Sequence, residues 1–391
     1  MLKTAAPDNN KDTLLEKSMI PIIDVSFGTE EIPQKSVVNR IATQITKAFR
    51  EKGMALLVNH GITEEKLKIA YNYFDEFCKL PEDTKNIYLR KSETGNGGYV
   101  KPNQESFEKG KKEIRHAFNI CTLDAKLPDD PLPGFKKHIS ELAKDFKNIT
   151  SLLLQALAIG LELPANFFVE KHSHMLDCDN ETTFRLLYYP PLVIDDDKNE
   201  NFTKGSSTYC HQKTKFDESK LGSLDMKDKE NDQEETHIKK EEVQNFTRCG
   251  AHCDYGTFTL LIQDVEGGLE VKLPNSEKWQ RVGHLGGAIF ANVGELLSIW
   301  TNGAYPALNH RVVIPENSIA TTKGRHAIAY FVHPDNLTPI VPMDVSPPSS
   351  SQEAINEKKE KTRKKSFKAA KMKIYNAYQH VQRRFKETYA S

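Results

Sequence analysis

Apolar positions along the chain follow two different periods, and the switch between them divides it. Over residues 36–52, Val38, Ile41, Ile45, Ala48 and Phe49 recur at threes and fours, which predicts a helix with one buried stripe. Thr63 is placed to cap a second helix, whose stripe is Leu67, Ala70, Phe74 and Phe77 and which stops before Pro81. The longest periodic run covers residues 137–163, with Ile139, Leu142, Phe146, Ile149, Leu153, Leu157 and Leu161, and predicts a helix packed on the outside of a β core. Residues 20–26 and 53–62 read as short strands around the first helix. From Thr183 onward the period shortens to that of strands, with runs near 183–190, 257–263, 287–294, 309–315 and 324–331 broken by Gly and Asn turns.

Three stretches break the pattern. Residues 194–245 are rich in Asp, Glu, Lys, Asn and Ser and poor in large apolar side chains, too polar to offset the entropy of ordering. They read as an insertion, either a solvated excursion or a lid. A Pro/Ser-rich connector follows near 339–351, and residues 357–373 carry nine Lys and Arg: a solvated helix face, or a localisation or polyanion patch. Residues 378–385 read as a closing helix. The expected organisation is a polar leader (1–18), a helix-rich N-terminal domain (19–165), a β domain (180–345) interrupted at about 194–245, and a basic tail with its helix (346–391).

Composition narrows the classes of function. The 54 Lys and Arg balance the 54 Asp and Glu, so no global field points to nucleic acid or an acidic surface. No apolar run approaches a membrane span, and the N-terminus lacks the apolar segment of a secretory signal. Six scattered cysteines show no CxxC spacing, which argues for a reducing compartment, with the cytoplasm the default. The expected protein is a monomer with no clear nucleic-acid or membrane partner.

The chemistry concentrates between Gly250 and Pro334. His252 and Asp254 stand at i and i+2, which on a strand puts both on one face. A His-x-Asp is common by itself. Here a second histidine, His310, heads a later strand-like run, and Arg325 follows fifteen residues on. Two imidazoles and a carboxylate from separate strands are the set that holds Fe(II) on one side and leaves the others free. His60 reads as a residue that orients the turn at Gly61 rather than as a ligand. Cys210, His211 and His237 show no designed spacing. The glycine-rich stretch 95–102 lacks the strand-to-helix setting and the Gly-Lys-Ser/Thr of a phosphate loop.

The ordered series resembles the Fe(II)/2-oxoglutarate-dependent dioxygenases of the isopenicillin N synthase-like family. His252, Asp254, His310 and Arg325 match its His-x-Asp, distal His and Arg-x-Ser, while Ile20-Pro21-Ile22-Ile23-Asp24 and Val58-Asn59-His60-Gly61-Ile62 match its N-terminal pattern. The resemblance implies a mixed α and β fold, a double-stranded β-helix (jelly roll) core with flanking helices. It implies that His252, Asp254 and His310 bind iron and that Arg325 and Tyr189 anchor 2-oxoglutarate. Phe331 then falls beside the substrate, with Tyr99 and Phe118 as further contact candidates for which ordinary packing is equally open. Asn292 is expected to support the ligands by hydrogen bonding, and Leu260, Ile262 and Ile289 to wall the site off from water. The implied activity is oxidation of a small organic substrate with O2, releasing succinate and CO2, with ascorbate a candidate reductant. Ala327 replaces the family serine, which removes one hydroxyl from the cosubstrate site. That leaves room for a same-fold oxidase without 2-oxoglutarate; a non-catalytic binding protein is the third reading, and the complete triad argues against it.

Overall fold

Helical stripes and strand runs meet across one large sheet. The computed structural model describes residues 15, 19–26, 34–91, 95–108, 110–195, 236–239, 245–314, 324–343, 345 and 375–389. Eight strands lie in the order Ile22–Asp24, Met54–Val58, Ile289–Val293, Phe258–Gln263, Arg325–Val332, Thr183–Tyr189, His116–Ile120 and Gly98–Val100. The first pair is parallel and every later pair antiparallel. A second sheet orders Cys249–His252, Asn309–Val312, Leu269–Lys272 and Trp279–Arg281. The two sheets form the jelly roll that the family resemblance implies. Strands of the N-terminal segment extend the large sheet at both edges, so that segment and the β core share one hydrogen-bonded layer.

One face of the large sheet carries the helices. Helix Lys35–Lys52 buries Ile41, Ile45 and Phe49, and helix Phe135–Gly160 buries Phe146, Leu153 and Leu157, all in one cluster with sheet residues. Fully burying each such side chain is worth roughly 1.5–3 kcal/mol, which is why the stripes rather than helix propensity fix these elements. Thr63 caps helix Glu64–Cys78 through the Lys66 amide at 3.3 Å. That helix stops at Cys78, before Pro81 as expected, and Pro81 then caps the start of a short helix, Glu82–Asn86.

Side-chain alternation decides which residues see the space between the sheets. Leu260, Ile262 and Ile289 belong to the cluster under the helices, so the expectation that they wall the site is corrected. The adjacent positions Leu261, Ala327, Ala329, Tyr189 and Phe331 form the inner cluster instead. A strand's period of two puts neighbours on opposite faces, and the apolar inward set is one residue out of step with the expected one.

His60 orients its turn as expected: its Nδ1 accepts from the Ile62 amide at 3.2 Å and its Nε2 donates to the Gly287 carbonyl at 2.5 Å. The ends of the polar insertion, Leu192–Asp195 and Thr236–Lys239, pair in parallel. Its interior, with Cys210 and His211, lies outside the described residues, as do the His237 side chain and the basic run 357–373. The closing helix is Ala377–Tyr389.

Candidate metal centre and cosubstrate site

His252 and His310 are direct cross-strand partners in the small sheet. Their ring centroids lie 4.3 Å apart. Asp254 is not on that strand. Strand Cys249–His252 ends at the histidine, and the aspartate sits in the turn beyond it. Two hydrogen bonds bring it back: its carbonyl accepts from the Glu295 amide at 2.8 Å, and its Oδ2 accepts from Asn292 Nδ2 at 2.7 Å. The turn is tight because Gly256 packs against backbone; a Cβ there would lie 2.2 Å from the Val332 carbonyl oxygen.

One Asp254 oxygen, Oδ1, lies 3.6 Å from His252 Nε2 and 3.6 Å from His310 Nε2. The Nδ1 of His252 donates to the Gly250 carbonyl at 2.8 Å, and that of His310 to the Leu308 carbonyl at 3.1 Å. With those protons committed, both Nε2 lone pairs point at the shared space, the tautomer a metal requires. Burial alone would raise the Asp254 carboxyl's pKa, but the two histidines and the Asn292 amide outweigh it and hold the pKa far below the usual carboxylate range. Burial drives the His310 pKa down, toward the neutral ligand form. These donors fit Fe(II): two imidazoles, each with its Nδ1 committed to a carbonyl, and one ionised carboxylate, their ligand atoms all within 4.8 Å of one another. Phe107 stacks on the His252 ring, 4.1 Å between centroids and 15° from parallel, and fixes its plane.

His252 and Asp254 open into a cleft of about 560 Å³, continuous with solvent, whose lining includes Asn96, Glu105, Arg185 and Phe331. Phe385 and Thr388 of the closing helix complete its rim, and Thr388 hydrogen-bonds the Tyr255 hydroxyl. Glu105 takes Arg185 at 2.5 Å and Arg115 at 2.8 Å; Arg115 also meets Glu113 at 2.8 Å. Glu113 in turn accepts from the amides of Phe107 and Gly250, both at 3.0 Å, so one carboxylate anchors both the strand of His252 and the ring stacked on it.

Arg325 faces the same interior. It is paired with Tyr189 across the strands, and its guanidinium carbon stands 4.7 Å from that ring's centroid. Its Nε donates to the Gly267 carbonyl at 2.7 Å and its Nη2 to Gln263 Oε1 at 2.9 Å; Nη1 has no partner. Ala327, buried in the same cluster as Tyr189, supplies no hydroxyl there.

The 2OG-Fe(II) oxygenase superfamily model matches residues 180–334, and a model described as the N-terminal part of the non-haem dioxygenase in morphine synthesis matches residues 20–141. The chain belongs to the Fe(II)/2-oxoglutarate-dependent dioxygenases of the isopenicillin N synthase-like family. A 2-oxoglutarate-dependent dioxygenase (frbA) from Dothideomycetidae is 27% identical over 84% of this chain and 91% of its own length. A 1-aminocyclopropane-1-carboxylate oxidase from Dictyostelium discoideum is 26% identical over 81% of this chain and 82% of its own. The solved structure of a full-length Neurospora crassa protein in complex with alpha-KG superposes with a TM-score of 0.67 at 23% identity, covering 100% of both chains. As a dioxygenase of this family the protein uses Fe(II), O2 and 2-oxoglutarate to oxidise a small molecule. When bound, the iron and cosubstrate supply the oxidant: decarboxylation of 2-oxoglutarate to succinate and CO2 activates O2 for attack on a substrate C–H bond.

Of the residues singled out in the sequence, the structure brings together His252, Asp254 and His310, places Phe331 in the cleft beside them, and sets Arg325 against Tyr189. Tyr99 and Phe118 are elsewhere. Tyr99 is buried with its hydroxyl 2.7 Å from His116 Nδ1, and Phe118 packs edge-on to Phe77; neither lines the cleft. Both belong to the cluster beneath the helices. Sequence reasoning missed Phe107, Glu105, Arg185 and Arg248. An arginine inside the otherwise buried strand Thr183–Tyr189 was a signal for Arg185; Arg248 lies in a bend between two short strands and offered none.

Proposed function

We propose that this dioxygenase holds iron through His252, Asp254 and His310, anchors 2-oxoglutarate at Arg325 and Tyr189, and oxidises a compact, uncharged, hydrogen-bonding organic molecule beside Phe331. The observation that carries the metal assignment is the shared Asp254 oxygen, 3.6 Å from both imidazole Nε2 atoms. The charge state of the substrate follows from the cleft. Arg115 and Arg185 are matched there by Glu105 and Glu113, so no net charge is left over for an ionic substrate. Asn96, held by Arg90 at 3.2 Å and by Thr183 at 3.3 Å, adds a polar group opposite an aromatic wall. The Neurospora neighbour was also solved with thymine, a small neutral ring compound, which is compatible with this class of substrate.

We place the enzyme in a reducing, cytoplasmic setting as a monomer without nucleic-acid or membrane partners. In support, the five described cysteines are free thiols, and among the described residues no helix is long and apolar enough to cross a membrane. The test of the substrate class is a metabolite screen for succinate release that depends on added compound, run with the wild type and with Asp254→Ala. Neutral compounds that drive release in the wild type alone are expected. Hits confined to organic anions would overturn the charge argument.

A further inference from the structure

Arg248 stands four residues before His252 and is only 1% exposed, yet Nε, Nη1 and Nη2 all lack a hydrogen-bond partner. Five buried donors on a permanent cation are a large electrostatic cost, and a residue present only to support the fold would be paired as Arg115 and Arg185 are. Arg248 also does not stand alone. Its guanidinium carbon is 5.9 Å from the centroid of the same Tyr189 ring that Arg325 covers at 4.7 Å, and Arg325 contributes its own free Nη1. A Cβ on Gly268 would touch Arg248 Nη1 at 3.8 Å, next to the Gly267 carbonyl that holds Arg325. Among the described residues neither arginine forms a salt bridge. Asp264 acts on Arg248 through space but is itself engaged by His326. Burial, with Arg325 close by, pushes the Arg248 pKa down to about 10, so the side chain still carries its charge at neutral pH.

We infer that Arg248 is a second anion-binding residue for the cosubstrate, closing with Arg325 a two-guanidinium clamp on the distal carboxylate of 2-oxoglutarate. The inference rests on the reading of Arg325 given above. It explains how a member of this family works with Ala327 in place of serine: a charged fork supplies the donors that a hydroxyl would have supplied, and supplies more of them. The residue binds and orients; it takes no part in moving electrons or protons. Two cations around one carboxylate also predict strong preference for a dicarboxylic 2-oxo acid over a monocarboxylic one, because only the former has an anion at the far end.

The test is anaerobic calorimetry on the full-length Fe(II)-loaded protein with two ligands, 2-oxoglutarate and 2-oxobutanoate, which shares the chelating end and lacks the distal carboxylate. Arg248→Met is expected to weaken 2-oxoglutarate by about 10-fold or more and to leave 2-oxobutanoate and Fe(II) affinity within about twofold. Arg248→Lys, which keeps the charge and loses the fork, should fall between wild type and Arg248→Met, and it decides the matter alone if the methionine variant does not fold. Unchanged 2-oxoglutarate binding in the folded variant overturns the inference, as does equal weakening of both acids, the mark of a purely structural residue. If Arg325→Ala weakens 2-oxoglutarate and Arg248→Met does not, only this inference fails. A wild type that does not bind 2-oxoglutarate sinks the reading of Arg325 with it.

Discussion

Four arginines are buried around the jelly-roll interior, and they form two unlike pairs. Arg115 and Arg185, 6% and 7% exposed, are matched by Glu105 and Glu113. Arg248 and Arg325, each 1% exposed, are further from water and are answered by an aromatic ring, a carbonyl and an amide. Charges that serve the fold are neutralised within the chain. Charges left short of acceptors in a deeper position are set for an anion that arrives from outside, and the cosubstrate of this enzyme is a dianion. On the assignment proposed above, the difference separates a balanced substrate end of the interior from a cationic cosubstrate end.

The sharpest way to break this contrast is through stability. Glu105→Leu strips both members of the balanced pair of a shared carboxylate and should destabilise the protein by about 3–5 kcal/mol in urea unfolding. Arg325→Ala without cosubstrate should cost far less, since it removes a cation that lacks a counter-ion. A next effect follows from linkage: 2-oxoglutarate at about 100 times its dissociation constant should stabilise the Fe(II)-loaded wild type by about 2.7 kcal/mol, and most of that gain should vanish in Arg325→Ala. Thermal unfolding with and without the ligand reads both. Asn292→Ala should lower Fe(II) affinity by about 10–100-fold, because Asp254 then loses the amide that aims it; equal affinity in a metal titration would refute that role.

The smallest effect concerns a partly buried histidine on the opposite face of the strand that carries Arg325. His326, beside Arg325 but facing helix Glu64–Cys78, lies 2.6 Å from Asp75 and 3.5 Å from Asp264. Burial would lower its pKa, yet the two carboxylates raise it to about 9. Its folded pKa thus lies above the unfolded value of about 6.5, so its stabilisation is complete below about pH 6.5 and is lost as pH rises through about 9. His326→Gln should flatten the stability profile over that window and leave 2-oxoglutarate affinity in place. A shift in affinity instead would show that the balanced and unbalanced charges are not separate.

Much of the site could be read from the chain because its chemistry is carried by residue types that rarely coincide by accident. His252, Asp254 and His310 needed only their order, and Thr63, His60 and the helix stripes only local periodicity. Parity was harder. Leu260 and Ile262 look as suited to a hydrophobic pocket wall as Leu261 does, and only pairing with strand Arg325–Val332 and the helices behind the sheet shows which face each takes. Tyr99 and Phe118, for which packing was equally open, are packed in the cluster beneath the helices. Arg248 and Glu105 were illegible because nothing in a linear sequence distinguishes a buried charge with a partner from one without; that is a property of three-dimensional neighbours.

Anaerobic addition of 2-oxoglutarate to the Fe(II)-loaded protein, followed by visible absorbance, reads cosubstrate capture at Arg325 without turnover. A saturable charge-transfer band is expected in the wild type, and in Arg325→Ala a band of similar final intensity reached only at much higher ligand concentration. No band in the wild type, or the same saturation point in both proteins, would contradict capture at that residue.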